Sequence, residues 1–159
     1  MKHSYLYSPW RMKYILAKKR KECIFCIKPE NDKEHLVVYR SSHCFVILNL
    51  FPYNNGHIMV VPNKHVSQLS DLDKDELNNL FEIVQKSESV LNKVYKPEGL
   101  NVGINIGKAA GAGIDAHLHV HLVPRWPGDT NFMTTIAGKR TIPDLFENTF
   151  DSLKETFQS

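Results

Sequence analysis

Three histidines, His117, His119 and His121, alternate with apolar residues in the segment HLHVHLVPRW. Strict alternation predicts a β-strand with one polar and one apolar face, because successive side chains of a strand point to opposite sides. The three imidazoles then share one face, with neighbours roughly 7 Å apart. Pro124 is expected to end the strand, since proline cannot donate a hydrogen bond to the ladder.

The aligned imidazoles suit two chemistries. Neutral imidazole is the commonest metal ligand. A histidine can also attack phosphorus as a nucleophile, while neighbouring histidines stabilise the charged phosphate oxygens. A merely histidine-rich surface strand is the remaining interpretation, and the clean apolar face opposite the histidines disfavours it.

A glycine-rich loop, residues 107–113 (GKAAGAG), leads into the histidine strand. Glycines such as Gly111 and Gly113 let backbone N–H groups approach a phosphate closely. The loop is not a P-loop, because the GK[ST] ending is missing. We therefore expect Gly111 and Gly113 to contact the substrate through their backbone.

The segment Cys23-Ile-Phe-Cys26 can supply two ligands to one tetrahedral metal ion. Two more ligands must come from elsewhere, and His35, His43, His65 and His117 are the candidates. Two free buried thiols are the alternative. A thioredoxin-like redox role is weak, because no βαβ pattern surrounds the motif.

The hydrophobic pattern predicts an α+β fold. Residues 35–39, 44–50 and 57–61 alternate or run apolar between turn signals, which indicates three strands of an antiparallel meander, and residues 100–106 predict a fourth strand. A long helix is predicted for residues 70–95, capped by Ser70 or Asp71, and a second for residues 143–157. The apolar stripe of the long helix is expected to comprise Leu77, Leu80, Phe81, Val84, Leu91 and Val94, and that of the second helix Leu145, Phe146, Thr149 and Leu153.

The composition is ordinary for one globular domain: 159 residues, of which 42% are hydrophobic and 23% charged. The net charge of +3 fits a small anionic substrate without requiring nucleic acid. No segment has the length and hydropathy of a membrane span or signal peptide, and the cysteine count is odd. We expect a cytoplasmic protein with neither a membrane nor a nucleic-acid partner.

The motifs in this order resemble the histidine-triad (HIT) superfamily. The likeness rests on HLHVHLVP, LNLFPYNNGHIMVVPNKH and NVGINIG, and covers about residues 23–126. The flanks SPWRMKYI, VPRWPGDTNFM and TIPDLFENT resemble the bacterial branch similar to diadenosine tetraphosphate phosphorylases and hydrolases. The resemblance implies a single HIT-like domain with a sheet of about five strands, an arm at residues 1–22 and an extension at residues 127–159.

The resemblance also implies catalytic roles. His119 would attack the α-phosphorus of a dinucleoside polyphosphate or related nucleotide conjugate and form a covalent nucleotidyl-histidine. His121 and His57 would hold the phosphate oxygens or the leaving group. Asn49 would contact the ribose hydroxyls, and Asn105 would lie near the phosphate.

For some relatives, including galactose-1-phosphate uridylyltransferase, a zinc site is implied at positions that correspond here to Cys23, Cys26, His65 and His117. Zinc would then be structural, and no organic cofactor is expected. The resemblance further implies a homodimer.

Two alternatives stay open. Many relatives carry Gln, Ser or Thr just ahead of the triad, where this chain has Gly113, Ile114, Asp115 and Ala116. That departure favours a nucleotide-binding or metal-sensing module with little turnover, unless Asp115 or backbone amides substitute. A catalytic metal held by all three triad histidines is the other alternative.

Overall fold

A computed structural model describes residues 23–129 and 144–158 of the chain. The predicted arm at residues 1–22 and most of the extension after residue 129 lie outside these residues. None of the helices in the two described ranges has the length and hydropathy needed to cross a membrane.

Five strands form one antiparallel sheet, which confirms the predicted α+β class. The strands are β1 (Val37–Arg40), β2 (Cys44–Leu48), β3 (Ile58–Pro62), β4 (Gly99–Ile104) and β5 (Val120–Arg125). Their order across the sheet is β1-β2-β3-β5-β4. The first three strands are the predicted meander, and the histidine segment enters the sheet between β3 and β4.

Two helices pack on one face of the sheet. They are α1 (Lys74–Tyr95) and α2 (Phe146–Gln158). Alternate residues of the strands, including Val46, Val60 and Leu122, point into the core beneath α1. The opposite face of the sheet is therefore left for the histidines.

The long helix begins later than predicted, and its cap is Asp73 rather than Ser70 or Asp71. The Asp73 side chain accepts from the N–H of Glu76, and the Glu76 carboxylate accepts from the N–H of Asp73. This reciprocal capping box satisfies two of the N–H groups that a helix start leaves unpaired. The predicted apolar stripe is wrong at Phe81, which is 49% exposed.

The second helix was predicted from residue 143, but it begins at Phe146. Leu145 is 66% exposed and Phe146 is 38% exposed, so the predicted stripe is wrong at both residues. The buried residues of α2 are Thr149, Phe150, Leu153 and Phe157. The Phe157 ring stacks on Tyr39 of β1, with 5.2 Å between ring centroids.

The prediction that Pro124 ends the histidine strand is wrong, because β5 continues to Arg125. The last residue of β5 that pairs with β3 is Leu122. The carbonyl of Pro124 accepts from the Asn54 side chain, beyond Ile58, the first residue of β3. The N–H and C=O of a strand residue point the same way, so the missing N–H of Pro124 removes no ladder hydrogen bond.

The strand also starts later than predicted, at Val120, so His117 and His119 precede it. The alternation nevertheless holds, since Leu118, Val120 and Leu122 are all buried in the core under the helices. The N–H of Leu118 donates to the carbonyl of Val66 at 2.6 Å, which anchors the segment before β5 begins.

Candidate functional site

The imidazole of His119 is buried and oriented by its own chain. His119 is 4% exposed, and its Nδ1 lies 2.8 Å from the carbonyl oxygen of His117. A carbonyl oxygen only accepts, so Nδ1 carries the proton and Nε2 keeps its lone pair. Burial lowers the pKa of His119 below its ordinary value, against the opposing hydrogen bond to His117. The ring is thus neutral at pH 7 with a bare Nε2, the form in which an imidazole attacks.

His57 and His121 form a hydrogen-bonded pair beside His119. The register of β3 and β5 sets Met59 opposite His121, which brings His57 next to them. His57 Nε2 lies 3.0 Å from His121 Nδ1, and the centroids of the His119 and His121 rings lie 4.8 Å apart. The three imidazoles thus form one continuous group on the outer face of the sheet.

The tautomers of this pair follow from a backbone donor. The N–H of Tyr53 donates to His57 Nδ1 at 3.0 Å, so the proton of a neutral His57 is on Nε2. His57 then donates to His121 Nδ1, and the proton of His121 is on its Nε2. Burial, with a smaller contribution from His119, lowers the pKa of His121 to about 4. His121 is therefore a neutral hydrogen-bond donor at pH 7.

Phe25 covers the histidines from the side of the cysteine segment. The residue is 2% exposed, and its ring centroid lies 5.7 Å from that of His117 and 5.1 Å from that of His119. It belongs to a second apolar cluster on the outer face of the sheet, formed with Val37, Phe45, Ile47, Met59 and Val61. This cluster excludes water from one side of the His119 ring.

Cys23, Cys26, His65 and His117 lie together, with one ligand atom of each within 4.8 Å of all the others. His117 Nε2 lies 2.9 Å from the carbonyl oxygen of Pro62, so Nε2 carries the proton and Nδ1 is left for a metal. Sγ of Cys23 lies 3.4 Å from His117 Nδ1, and Sγ of Cys26 lies 3.3 Å from His65 Nδ1. The corresponding S–N edge of a tetrahedral zinc site is roughly 3.5 Å, so these four residues fit zinc.

An open cleft of about 330 Å³ lies beside His121. Most of its lining comes from alternate residues of two strands, namely Asn101, Gly103 and Asn105 in β4 and just after it and His121, Val123 and Arg125 in β5. The rest of the lining is Tyr53, Asn54, Val102 and Asp129. Arg125 donates through Nε and Nη2 to Asp129 and through Nη1 to the Asn101 side chain, the last at 2.7 Å. The floor of the cleft is thus a neutral, hydrogen-bonded network.

The predicted substrate residues fall in three places. Asn105 lines the cleft together with His121. Asn49 lies outside it, with its Nδ2 3.3 Å from the acceptor Nδ1 of His57 and its Oδ1 accepting from the N–H of Phe51. Gly111 and Gly113 are exposed in the loop ahead of the triad and do not line the cleft. The roles assigned to these residues and to the histidines stay predictions.

Sequence reasoning missed Phe25 and the cleft residues Asn101 and Arg125. The signal for the cleft was present, because Asn101 and Asn105 are an even number of residues apart in the predicted strand at residues 100–106, and so are His121 and Arg125 on β5. The contact of Phe25 with His119 had no such signal, since it joins segments about ninety residues apart by a fold that the local pattern does not specify.

Fold and site together define a class: a histidine-triad sheet with a group of two cysteines and two histidines, arranged to fit a metal ion, at one end. The family model described as HIT domain matches residues 30–128, which is more than half of the chain. The chain therefore belongs to the HIT family.

Two relatives with assigned names are similar in sequence. AP-4-A phosphorylase of Mycobacterium tuberculosis is 42% identical over 154 residues, covering 91% of this chain and 79% of that protein. The asymmetrical bis(5'-nucleosyl)-tetraphosphatase of Schizosaccharomyces pombe is 39% identical over 93 residues, covering 58% of this chain and 50% of that protein.

Two solved structures have the same fold. A zinc-bound histidine triad family protein from Mycobacterium smegmatis is 28% identical, with a TM-score of 0.69, and covers 86% of this chain and 93% of its own. A hypothetical histidine triad nucleotide-binding protein from Sulfolobus tokodaii is 30% identical, with a TM-score of 0.70, and covers 86% of this chain and 92% of its own.

Proposed function

We propose that this HIT-family protein is a nucleotide hydrolase or phosphorylase that cleaves a dinucleoside polyphosphate, such as diadenosine tetraphosphate, or a related nucleotide conjugate. The observation that carries the proposal is the buried, neutral His119 with a bare Nε2 next to the His57–His121 pair. The names of the relatives from M. tuberculosis and S. pombe support this substrate class.

In the first step, the Nε2 lone pair of His119 attacks the α-phosphorus. A P–N bond forms, the P–O bond to the rest of the polyphosphate breaks, and the leaving oxygen takes the bond electrons. The imidazole becomes a cation whose Nδ1–H stays on the His117 carbonyl, which is oriented to stabilise that charge. In the second step, an oxygen of water or phosphate forms a new P–O bond, the P–N bond electrons return to Nε2, and the proton of the attacking oxygen is lost to solvent.

Neighbouring donors stabilise the negative charge of the transition state. The N–H on Nε2 of His121 is available to a phosphate oxygen or to the leaving oxygen, and His57 fixes its tautomer. The Asn105 side chain is the further donor that we assign to the phosphates. The predicted contacts at Gly111 and Gly113 stay predictions, and the N–H of Gly111 already donates to the carbonyl of Lys108 at 3.0 Å. We assign Asn49, next to His57, to the ribose of the attacked nucleotide.

We infer that Cys23, Cys26, His65 and His117 hold a structural zinc ion. When bound, zinc would tie the cysteine segment to the histidine segment. The proton of His117 on Nε2 and the S–N separations given above support this assignment. Commitment of His117 to zinc leaves His119 and His121 for phosphate chemistry.

The test is turnover of diadenosine tetraphosphate with and without inorganic phosphate, with products identified by mass. We expect His119→Ala to abolish both turnover and the adenylyl adduct in intact-mass spectra, while far-UV circular dichroism and zinc content stay at wild-type levels. His43→Ala is the matched control, because His43 lies in the turn between β1 and β2. Unchanged turnover in His119→Ala would falsify the assigned nucleophile.

A nucleotide-binding or metal-sensing module with little turnover is the second candidate. The favouring observation is that no Gln, Ser or Thr stands at residues 113–116, and that Asp115 there pairs with Lys108 at 3.5 Å. Tight binding of diadenosine tetraphosphate without any product over hours, in the presence of phosphate, would support this candidate over the enzyme.

A catalytic metal on all three triad histidines is disfavoured. His121 accepts from His57 on Nδ1, so its Nε2 carries the proton, and the unprotonated Nδ1 of His117 faces Cys23 Sγ at 3.4 Å. Metal analysis separates the sites: zinc retained in a His119→Ala, His121→Ala double variant but lost in Cys23→Ala supports the Cys/His site.

We also propose that the protein is a homodimer, that it is cytoplasmic and that the chain is a single HIT-like domain. Light scattering tests the homodimer.

A further inference from the structure

We propose that the cleft between β4 and β5 is the subsite for the nucleoside of the leaving group, the half of the dinucleoside polyphosphate that does not become attached to His119. This inference deepens the proposed function and rests on it. It assigns a role to Asn101, Gly103 and Arg125, which the reaction at His119 does not use.

Position is the first argument. The cleft starts at His121 and follows β5 through Val123 to Arg125, away from His119. Residues two apart along a strand are roughly 7 Å apart, so Arg125 lies more than ten ångströms from His121 along the strand. A group bound there is connected to the reaction centre only through an extended linker, which the phosphates of the leaving group provide.

Charge is the second argument. The guanidinium of Arg125 is bound on two nitrogens by the Asp129 carboxylate and on the third by Asn101. Within residues 23–129 and 144–158, the charged side chains lining the cleft are this pair, so their charges cancel. A polyphosphate would find no net cation, whereas a nucleoside is neutral and rich in hydrogen-bonding groups.

Size and chemistry agree with a nucleoside. The volume of about 330 Å³ is near the lower end of the ~300–1,000 Å³ usual for small-molecule sites. The Asn101 Oδ1 accepts from Arg125, and its Nδ2 has no hydrogen-bond partner in the part of the chain described. The ring of Tyr53 at the cleft wall is 51% exposed and offers an apolar surface to a base.

The role assigned to Asn49 places the attacked nucleotide, the other half of the substrate, outside this cleft. Under the proposed function it contacts the ribose of the attacked nucleotide, but it lies beside His57 and does not line the cleft. The two nucleosides therefore need two places, and the cleft is free for the second.

The experiment compares two substrates that present the same adenylyl group to His119. Diadenosine tetraphosphate carries a second nucleoside, and adenosine 5'-tetraphosphate has the same number of phosphates without it. The readout is the ratio of kcat/KM for the first substrate to kcat/KM for the second, so a general loss of activity or folded protein cancels.

The main variant is Gly103→Val, which fills the cleft. A Cβ at Gly103 meets no heavy atom within 4 Å, and a β-branched residue suits a strand, so the fold should tolerate it. We expect the ratio to fall about tenfold or more, with the loss in KM for diadenosine tetraphosphate. Asn101→Ala should lower the ratio about fivefold by removing one hydrogen-bonding side chain.

The matched control is Ile104→Val, next to Gly103 on the same strand, because the Ile104 side chain packs against the core and does not line the cleft. Its ratio should stay within about twofold of the wild type. An equal ratio in Gly103→Val and the wild type overturns the subsite, while turnover of both substrates by the wild type keeps the proposed function. If the wild type cleaves neither substrate, the proposed function itself fails.

Discussion

Replacement of Gly56, the residue directly before His57, should destabilise the protein by an amount that follows from the structure. The φ of Gly56 is +72°, in the left-handed region that costs an L-residue about 1–2 kcal/mol. A Cβ built there would lie 2.7 Å from Cε2 and 2.9 Å from Cδ2 of Tyr95 and 3.3 Å from Cγ of Pro124. Overpacking of that kind costs about 1–3 kcal/mol. We expect Gly56→Ala to lower the free energy of unfolding by about 2–5 kcal/mol in total.

Two other glycines separate the contributions. Gly111 has φ +89° but open space around its Cβ position, so Gly111→Ala should show the backbone cost alone, about 1–2 kcal/mol before the smaller gain from a stiffer unfolded chain. Gly103 has neither a positive φ nor a neighbour within 4 Å, so Gly103→Ala should be neutral or slightly stabilising.

The assay is urea unfolding followed by circular dichroism, with turnover measured in parallel. Adding Tyr95→Leu to Gly56→Ala should recover the steric part and leave the backbone part, provided that Tyr95→Leu alone is measured to close the cycle. Turnover of Gly56→Ala should fall as well, because Gly56 sets the position of His57. If Gly56→Ala and Gly103→Ala have the same stability within about 0.5 kcal/mol, the reasoning from this turn is refuted.

Three further predictions concern the histidines and cysteines. His121 has a pKa of about 4 in the folded protein and 6.5 in the unfolded chain, so the unfolded chain binds the proton at a higher pH. The free energy of unfolding should therefore fall between about pH 6.5 and 4, by on the order of 2 kcal/mol after allowance for partial solvent exposure. His121→Gln should flatten this pH dependence of the free energy of unfolding, and an unchanged slope would contradict the assignment. Cys26→Ser should lose one zinc ion per chain, measured by emission spectroscopy, and should have a lower melting temperature. Cys44→Ser should keep the zinc, because Cys44 is a core thiol whose pKa is raised by burial to about 12. A full zinc content in Cys26→Ser would count against the site. Phe25→Ala should lower the free energy of unfolding by about 3–5 kcal/mol. It should also change the NMR chemical shifts of the His119 ring, because the centroids of the two rings are 5.1 Å apart. Unperturbed His119 ring signals in a folded variant would show that the contact is unimportant.

The sequence predicted the face that carries the histidines but not where the strand begins and ends. Alternation alone placed Leu118 and Leu122 in the core, since a period of two leaves a side chain only two directions. The local rule that proline ends a strand failed at Pro124, because the rule depends on whether a neighbouring strand needs that N–H. Which neighbour is present is a property of the sheet order, and β5 joins its partners across connections that the local pattern does not specify.

The helices show the same division. Periodicity predicts the stripe on α1, yet Phe81 is 49% exposed although Leu80, the residue before it, is fully buried, because the width of the stripe that is covered depends on what packs against the helix. The cap was assigned to the first acceptable residues, Ser70 or Asp71, although Asp73 satisfies the reciprocal pattern with Glu76 three residues later.

Residue types and spacing by themselves determined that this chain has a polar histidine face, a pair of cysteines able to hold half of a metal site, and an α+β architecture. Tertiary structure alone decided which nitrogen of His117 and of His121 carries the proton, because the partners that fix those protons, the Pro62 carbonyl and the His57 imidazole, lie on other segments of the chain. It also decided that a neutral cleft opens beside His121, since a cleft is the space left between strands after they pair. Hydrogen bonds and voids join positions far apart in the chain, and no local pattern specifies them.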